Sequence, residues 1–256
     1  MMTKWRVIVF WVSLVLVNAR AAETVSVAAA ANLVYALDAL NAEFGKTSPG
    51  TLVTTATGAS GSLVAQIKHG APFDVFLSAD LAYPRALVTA GQADANSFTT
   101  FATGRLVLWT TRAGLGLKSI AESVRDPAVR KLAIANRETA PYGRAAQQAL
   151  EKLGVWTDAQ PKLVVGENIT QTAQFIETGN ADAGFVALSL VLAPNLREHG
   201  RWLEVPAELH APLAHGAVLT VRGAANPTAR KYLEFLRSAD ARKVLERFGY
   251  SVPASP

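Results

Sequence analysis

The segment Gly58-Ala59-Ser60-Gly61-Ser62 combines two hydroxyl groups with residues that have almost no side chain. It separates a predicted strand from an amphipathic helix predicted over 60–69. The first N–H groups of a helix have no partner within the helix, and the helix dipole makes this end positive. Backbone amides and serine hydroxyls at a helix start can therefore bind an anion. These residues predict a site that holds an oxyanion by hydrogen bonds rather than a catalytic site.

Three other junctions between a predicted strand and a predicted helix carry similar groups. Asn32 has an amide and can cap a helix, Tyr142 has a phenolic hydroxyl, and Ile169 follows Asn168 into a helix with free backbone donors. The junctions are Ala29-Ala30-Ala31-Asn32, Ala140-Pro141-Tyr142-Gly143 and Glu167-Asn168-Ile169-Thr170. In open α/β sheets, ligands bind beyond the carboxyl ends of the strands. We therefore expect the four junctions to converge around one small anion.

Short apolar runs alternate with amphipathic segments along most of the chain, which predicts strands alternating with helices. The predicted strands are 24–30, 51–56, 74–78, 105–111, 132–135, 162–165, 183–187 and 212–222. The predicted helices are 32–44, 60–69, 82–90, 144–153, 170–178 and 228–248, the last being one helix or a pair. Such alternation is typical of mostly parallel sheets flanked by helices. We interpret the chain as an α/β fold of two lobes with a ligand cleft between them. Lobe 1 comprises 22–104 plus 213–256, and lobe 2 comprises 105–212.

Residues 1–21 have the features of a secretory signal peptide. Lys4 and Arg6 precede an apolar run over 7–17, and Ala19-Arg20-Ala21 provides a cleavage site. An uncleaved membrane anchor is the less favoured alternative, because the run is about a dozen residues and a bilayer span needs roughly 20. We therefore expect a protein that is exported to the periplasm.

The charge that remains without this leader does not favour nucleic acid as a partner. The 256 residues contain 25 basic and 20 acidic side chains, a formal net charge of +5. Lys4, Arg6 and Arg20 lie in the leader, so the rest of the chain carries +2. No cluster of Lys and Arg interleaved with aromatic residues remains. The chain has no cysteine, which excludes thiolate metal ligands and cysteine nucleophiles.

Five segments resemble the periplasmic molybdate-binding proteins of ABC importers, which have the type II solute-binding fold. The matching segments are 27–33 (VAAAANL), 58–80 (GASGSLVAQIKHGAPFDVFLSAD), 140–154 (APYGRAAQQALEKLG), 166–187 (GENITQTAQFIETGNADAGFVA) and 232–250 (YLEFLRSADARKVLERFGY). The resemblance covers nearly all of the chain after the leader. It implies a monomer without enzymatic activity or cofactor that binds molybdate, and tungstate as well. It also implies delivery of the anion to an ABC permease in the inner membrane.

The same resemblance implies which residues bind the anion. They are Ala31, Asn32, Ser60, Tyr142 and Ile169. It implies that Asn32 and Ser60 donate through backbone and side chain, that Ile169 donates its backbone N–H, and that Tyr142 donates its N–H, its hydroxyl or both. Many members of the family have Ser in place of Asn32, Ala in place of Tyr142, and Tyr in place of Ala187. We therefore expect Tyr142 to supply the hydroxyl that Ala187 lacks.

Donor groups without a carboxylate suit an oxyanion that is fully deprotonated. A dianion such as molybdate, tungstate or sulfate offers only acceptors at neutral pH, whereas phosphate keeps a proton that favours an acceptor in the site. Sulfate is therefore an alternative ligand. A ferric complex is disfavoured, because the tyrosines that would bind iron are scattered along the chain.

An exported serine hydrolase is the alternative from a different class of protein. Gly58-Ala59-Ser60 begins a G-x-S-x-G pattern, but Ser62 occupies the last position and no histidine is placed as its base. The histidines have no metal-binding spacing, and we expect them on the surface or in loops; they are His69, His199, His210 and His215. We expect Asp74 and Asp80 to stabilise turns and helix caps. No residue is predicted to bind a metal cation directly.

Overall fold

The computed structural model describes residues 23–253, and these form two five-stranded sheets with flanking helices. The predicted signal peptide, residues 1–21, lies outside the described residues. The α/β class with two sheets is confirmed. In the described part of the chain, no helix is long and apolar enough to cross a membrane.

The first sheet has the strand order β2-β1-β3-β10-β4. Its strands are β1 (Glu23–Ala30), β2 (Thr51–Gly58), β3 (Val75–Ser78), β4 (Thr99–Gly104) and β10 (Leu213–Leu219). Strand β1 pairs in parallel with β2 and β3, while β10 pairs antiparallel with β3 and β4. The carboxyl ends of β1, β2 and β3 therefore lie at one edge of the sheet.

The second sheet repeats this arrangement with the order β7-β6-β8-β5-β9. Its strands are β5 (Leu106–Thr110), β6 (Leu132–Ala135), β7 (Leu163–Gly166), β8 (Ala183–Ala187) and β9 (Arg201–Glu204). Strand β6 is parallel to β7 and β8, and β5 is antiparallel to β8 and β9. The chain leaves the first sheet after β4 and returns to it at β10. The lobe boundaries at 104/105 and 212/213 stay predictions.

Eleven α-helices and four short 3-10 helices connect the strands of the described residues. The α-helices are α1 (Val34–Thr47), α2 (Ser60–Lys68), α3 (Ala82–Thr89), α4 (Ile120–Arg125), α5 (Pro141–Lys152), α6 (Trp156–Ala159), α7 (Ile169–Glu177), α8 (Leu188–Val191), α9 (Val221–Ala224), α10 (Pro227–Phe235) and α11 (Ala239–Arg247). The 3-10 helices are Ala31–Leu33, Ala95–Ser97, Gln160–Lys162 and Ala207–Leu209. The long strands and helices coincide with the predicted ones to within a few residues.

Sequence periodicity missed β4 and β9 and misplaced several helix ends. Strand β4 (TTFATG) consists mostly of small and polar residues, and β9 (RWLE) is a short edge strand with exposed side chains. Helix α5 begins at Pro141 rather than Arg144, because proline is well suited to the first position of a helix. The range 228–248, predicted as one helix or a pair of helices, forms a pair, α10 and α11.

Candidate anion-binding site

The five predicted ligand residues all line one small cavity between the two sheets. The lining residues are Ala30, Ala31, Asn32, Gly58, Ala59, Ser60, Ala79, Ala140, Pro141, Tyr142 and Ile169. None of them carries a charged side chain. The cavity volume is about 10 Å³, whereas pockets for drug-sized ligands measure roughly 300–1,000 Å³. Because about 10–15 Å³ is needed to hold a single water, the cavity in this structure has no room for an organic ligand.

Each of the four predicted junctions brings a helix start to this cavity. The 3-10 helix Ala31–Leu33 follows β1, α2 follows β2, α5 follows β6, and α7 follows β7. Two junctions thus come from each sheet. The two junctions of each sheet lie close together because parallel strands present their carboxyl ends at the same edge of a sheet.

Unused backbone donors gather at these helix starts. Ser60 and Ile169 are the first residues of α2 and α7, and Tyr142 is the second residue of α5 after Pro141. An N–H at these positions has no acceptor within its own helix. Among the described residues, none of the three donates to a carbonyl outside its helix or to a side chain. Three main-chain N–H groups are therefore available to an acceptor in the cavity.

The position of the start of α5 depends on a glycine. A Cβ atom on Gly143 would lie 2.3 Å from the carbonyl oxygen of Ala135 at the end of β6. Glycine therefore permits the close approach of α5 to β6 that brings the Tyr142 N–H to the cavity.

The Ser60 hydroxyl is oriented by a backbone donor from the neighbouring strand end. Its Oγ is fully buried and accepts a hydrogen bond of 3.1 Å from the N–H of Ala79, just after β3. Among the described residues its own hydrogen has no acceptor, so it can donate to an anion. Its Oγ also makes no hydrogen bond with a histidine or a carboxylate, so the arrangement expected of a serine hydrolase is absent from the described residues.

Replacing Ser60 by alanine tests this hydroxyl. We expect the variant to bind an oxyanion about 10- to 100-fold more weakly, since a hydrogen bond to a charged group contributes about 1.5–3 kcal/mol. Ser60→Thr, which keeps the hydroxyl, and Ser62→Ala, which removes a neighbouring one, are the matched controls. Equal affinity of Ser60→Ala and the unchanged protein in calorimetry would show that the hydroxyl does not contact the ligand.

The Asn32 side chain does not act as expected, because other residues use both of its amide hydrogens. Its Nδ2 donates to Tyr250 Oη at 2.8 Å and lies 2.7 Å from His215 Nε2. The backbone carbonyl oxygen of Asn32 accepts hydrogen bonds from the hydroxyls of Tyr250 and Ser189, at 3.0 and 2.8 Å. The expectation that Asn32 donates to the anion through its side chain is therefore wrong. Its backbone N–H is the group left for the anion.

Tyr142 directs its hydroxyl towards β4 and β10. A Cβ atom on Gly104 would lie 2.0 Å from Tyr142 Oη and 2.9 Å from His215 Cε1. The hydroxyl is buried without a partner among the described residues, and burial, followed by the nearby Tyr250, raises the pKa of Tyr142. Donation from the Tyr142 hydroxyl to the anion therefore stays a prediction, and the Tyr142 N–H is the donor that the start of α5 leaves without an acceptor. Ala187 is not among the described residues that line the cavity.

Contacts between the two sheets close the cleft on both sides of the cavity. On one side, the Gly61 N–H donates to the Thr139 carbonyl at 2.9 Å, and Tyr83 Oη donates to the Glu138 carbonyl at 3.1 Å. Arg144 contacts Asp80 and the Tyr83 hydroxyl there; on the other side, Thr170 Oγ1 donates to the Ala31 carbonyl at 3.1 Å. The structure is thus a closed form.

The histidine prediction is wrong for His215 but holds for His210, which lies in the loop before β10, and the aspartate prediction holds for Asp80 but not for Asp74. His215 is fully buried in β10 and His210 is 7% exposed. Asp80 accepts from the Tyr83 N–H at the start of α3, and Asp74 accepts from the Ser26 N–H and pairs with Arg222. Within 23–253, no group of three or more His, Asp or Glu side chains is arranged to hold a metal ion.

Sequence reasoning also missed part of the cavity wall. Ala79 follows β3, and the position of a strand end next to Ser60 could have identified it. His215 shares a face of β10 with Leu213, Ala217 and Leu219, and this alternation with apolar residues is a signal for burial.

Comparison with known proteins places these features in a wider group. A family model described as a bacterial extracellular solute-binding protein matches residues 25–251. The molybdate-binding protein ModA of Azotobacter vinelandii is 40% identical over 234 residues, 91% of this chain and 92% of the relative. ModA of Rhodobacter capsulatus is 40% identical over 236 residues, 90% and 89% of the two chains. The solved periplasmic molybdate-binding protein of Azotobacter vinelandii has a TM-score of 0.84 at 32% identity, covering 90% of this chain and 100% of that one.

Proposed function

Because this chain belongs to the family of bacterial extracellular solute-binding proteins, we propose that it captures molybdate in the periplasm and delivers it to an ABC importer. The observation that carries the proposal is the cavity, in which neutral donors from both sheets converge without any charged side chain. Relatives named as molybdate-binding proteins, covering nine-tenths of the chain, support the choice of anion. In this proposal the protein works as a monomer, catalyses no reaction and needs no cofactor.

The chemistry of the donors favours a dianion with four equivalent acceptor oxygens. We propose that the ligand accepts from the N–H groups of Asn32, Ser60, Tyr142 and Ile169 and from the Ser60 hydroxyl, with Ala31 forming the wall beside Asn32. Hydrogen bonds from neutral groups to a charged ligand are stronger than neutral pairs, particularly away from water. Tungstate has the charge and shape of molybdate, and we propose that it binds as well.

The lobes give the proposal a mechanism for capture and release. The donors of Asn32 and Ser60 come from the first sheet, and those of Tyr142 and Ile169 come from the second. An anion that accepts from both sets has a higher affinity for the closed form and shifts the population towards it. Opening of the cleft separates the two sets of donors, which releases the anion to the importer.

Replacing Gly61 by alanine tests whether affinity requires this closed form. A Cβ atom there would lie 2.6 Å from Tyr83 Oη and 3.1 Å from Thr139 Cα, which belongs to the opposite side of the cleft. We expect at least a tenfold loss of affinity in calorimetry, because the methyl group hinders closure. Within a helix alanine is otherwise favoured over glycine, so the thermal stability of the ligand-free protein should not fall.

The matched control for this variant is Gly45→Ala in α1. A Cβ atom on Gly45 would meet no heavy atom within 4 Å, so we expect its affinity to be unchanged. If Gly61→Ala bound the anion as tightly as Gly45→Ala, closure at Gly61 would not be part of binding.

Calorimetric titration of the mature protein with molybdate, tungstate, sulfate and phosphate tests the proposed function. We expect tight binding of molybdate and tungstate, weaker binding of sulfate, and no binding of phosphate at neutral pH. Tight binding of sulfate without binding of molybdate would overturn the proposed ligand. Turnover of an ester by this protein, lost in Ser60→Ala, would instead favour a hydrolase.

A further inference from the structure

His215 lies behind the cavity wall and is not among the described residues that line it. It is fully buried on β10, and its ring meets the rings of Phe101, Tyr142 and Tyr250 at centroid distances of 5.9, 6.4 and 5.3 Å. A buried imidazole needs partners for both ring nitrogens, since an unpaired polar group away from water costs free energy. The contacts of its two nitrogens therefore define what it does.

The hydrogen bonds of His215 identify which nitrogen carries the proton. Nδ1 lies 2.8 Å from the carbonyl oxygen of Leu213, which can only accept, so Nδ1 carries a hydrogen. In a neutral imidazole Nε2 is then an acceptor. Its partner at 2.7 Å is Nδ2 of Asn32, which can only donate. Both hydrogen bonds therefore require the neutral tautomer that carries its hydrogen on Nδ1.

This tautomer also determines the orientation of the Asn32 amide. One hydrogen of Nδ2 is bonded to His215 and the other to Tyr250 Oη, while Oδ1 has no partner among the described residues; exchanging the amide nitrogen and oxygen would set Oδ1 against Nε2, which is also an acceptor. Tyr250 in turn donates to the Asn32 carbonyl, which also accepts from Ser189. The side-chain bonds to His215 and Tyr250 and the bonds to the backbone carbonyl from Tyr250 and Ser189 thus hold the main chain at Asn32 in place.

We propose that His215 is a positioning residue for the oxyanion site, which as a neutral acceptor holds Asn32 so that its backbone N–H faces the cavity. This inference rests on the proposed function, because it assigns the support of one donor in that site. It explains why the strand face that carries Leu213, Ala217 and Leu219 contains a histidine. An apolar residue there would leave a buried amide hydrogen of Asn32 without an acceptor.

The surroundings of His215 keep it in the neutral form. Among the described residues, the side chains that hydrogen-bond to His215 or meet its ring are Asn32, Phe101, Tyr142 and Tyr250, and none of these four is charged at neutral pH. Burial lowers the pKa of His215 to about 4, partly offset by the hydrogen bond to Leu213. A protonated ring would present an N–H to the Asn32 amide, and two donors would then face each other.

Two substitutions of His215 separate the acceptor from the shape of the ring. His215→Phe keeps a planar ring among aromatic neighbours but has no acceptor, and we expect it to bind molybdate at least tenfold more weakly than the unchanged protein. His215→Gln has an amide oxygen that can replace Nε2 as the acceptor for the Asn32 amide. We therefore expect this variant to bind molybdate almost as tightly as the unchanged protein. Tyr250→Phe removes the hydroxyl that links the Asn32 amide and carbonyl and should weaken binding in the same direction.

Molybdate titration of these variants, together with thermal unfolding of the ligand-free proteins, is the test. Unchanged affinity of His215→Phe, or equal losses in His215→Phe and His215→Gln, would overturn the proposal. An imidazole 15N NMR spectrum of the unchanged protein keeps the test valid if a variant does not fold. We expect a neutral ring protonated at Nδ1 at pH 7, and protonation at Nε2 would overturn the inference. Failure of the unchanged protein to bind molybdate would instead refute the proposed function, whatever the NMR result.

Discussion

Replacing Ala59 by aspartate is expected to reduce molybdate affinity at least a thousandfold while the ligand-free protein stays folded. Ala59 is the N-cap of α2, has an extended backbone, lines the cavity and makes no capping hydrogen bond through its side chain. An aspartate there can accept from the free N–H groups of the helix start, which are the groups proposed to bind the anion. The carboxylate would therefore occupy part of the site and repel a dianion.

The size of this effect follows from the charge. Two unit charges about 4 Å apart repel by about 4 kcal/mol at an effective dielectric constant of about 20, and a dianion doubles that repulsion. A thousandfold loss corresponds to about 4 kcal/mol. The capping interaction contributes about 0.5–2 kcal/mol to helix stability and offsets the cost of burying the new side chain.

Ala59→Asn is the matched control, because asparagine has nearly the same shape and capping ability without the charge. We expect this variant to lose far less affinity than Ala59→Asp in calorimetry, with similar melting temperatures for the two ligand-free proteins. If the aspartate and asparagine variants bound molybdate equally well, the anion would not lie near the start of α2.

A second large effect is expected from Ile169→Pro, which removes one backbone donor. Ile169 is the first residue of α7, a position where proline is favoured, and Asn168 before it has the extended backbone that proline requires. The substitution therefore leaves the helix in place and deletes its first N–H. We expect a 10- to 100-fold loss of molybdate affinity, because a hydrogen bond to a charged group contributes about 1.5–3 kcal/mol.

Two controls distinguish the missing N–H from other consequences of this proline. Ile169→Ala shortens the same buried side chain but keeps the N–H, so it should bind much more tightly than Ile169→Pro. Ala239→Pro places proline at the same position of α11, where the residue is exposed, and should leave affinity unchanged. Equal affinities of Ile169→Pro and Ile169→Ala would contradict a role for this N–H.

The arrangement of the cavity could be predicted from the sequence because each of its four junctions is formed by residues that are adjacent in the sequence. Ser60 and Ile169 stand at strand-to-helix junctions, and apolar periodicity locates such junctions to within a few residues. Topology then brings the junctions together, since parallel strands end at one edge of each sheet. The chemistry of the donors followed from the residue types, because none of the residues predicted to bind the anion has a charged side chain.

The role of Asn32 could not be predicted in the same way, because it depends on residues distant in the sequence. Its amide hydrogens are used by His215 and Tyr250, which are 183 and 218 residues away. Whether an amide faces a ligand or a buried histidine depends on tertiary packing, which residue types alone do not specify. The direction of the Tyr142 hydroxyl depends in the same way on the absence of a side chain at Gly104.

Anomalous diffraction at the molybdenum absorption edge, from crystals grown with molybdate, would locate the bound anion. We expect one strong peak in the cavity between the sheets, with oxygens about 2.7–3.2 Å from the N–H nitrogens of Asn32, Ser60, Tyr142 and Ile169. We also expect the Asn32 side chain to stay bonded to His215. A peak outside this cavity, or a closed cavity without molybdenum, would show that the anion binds elsewhere or not at all.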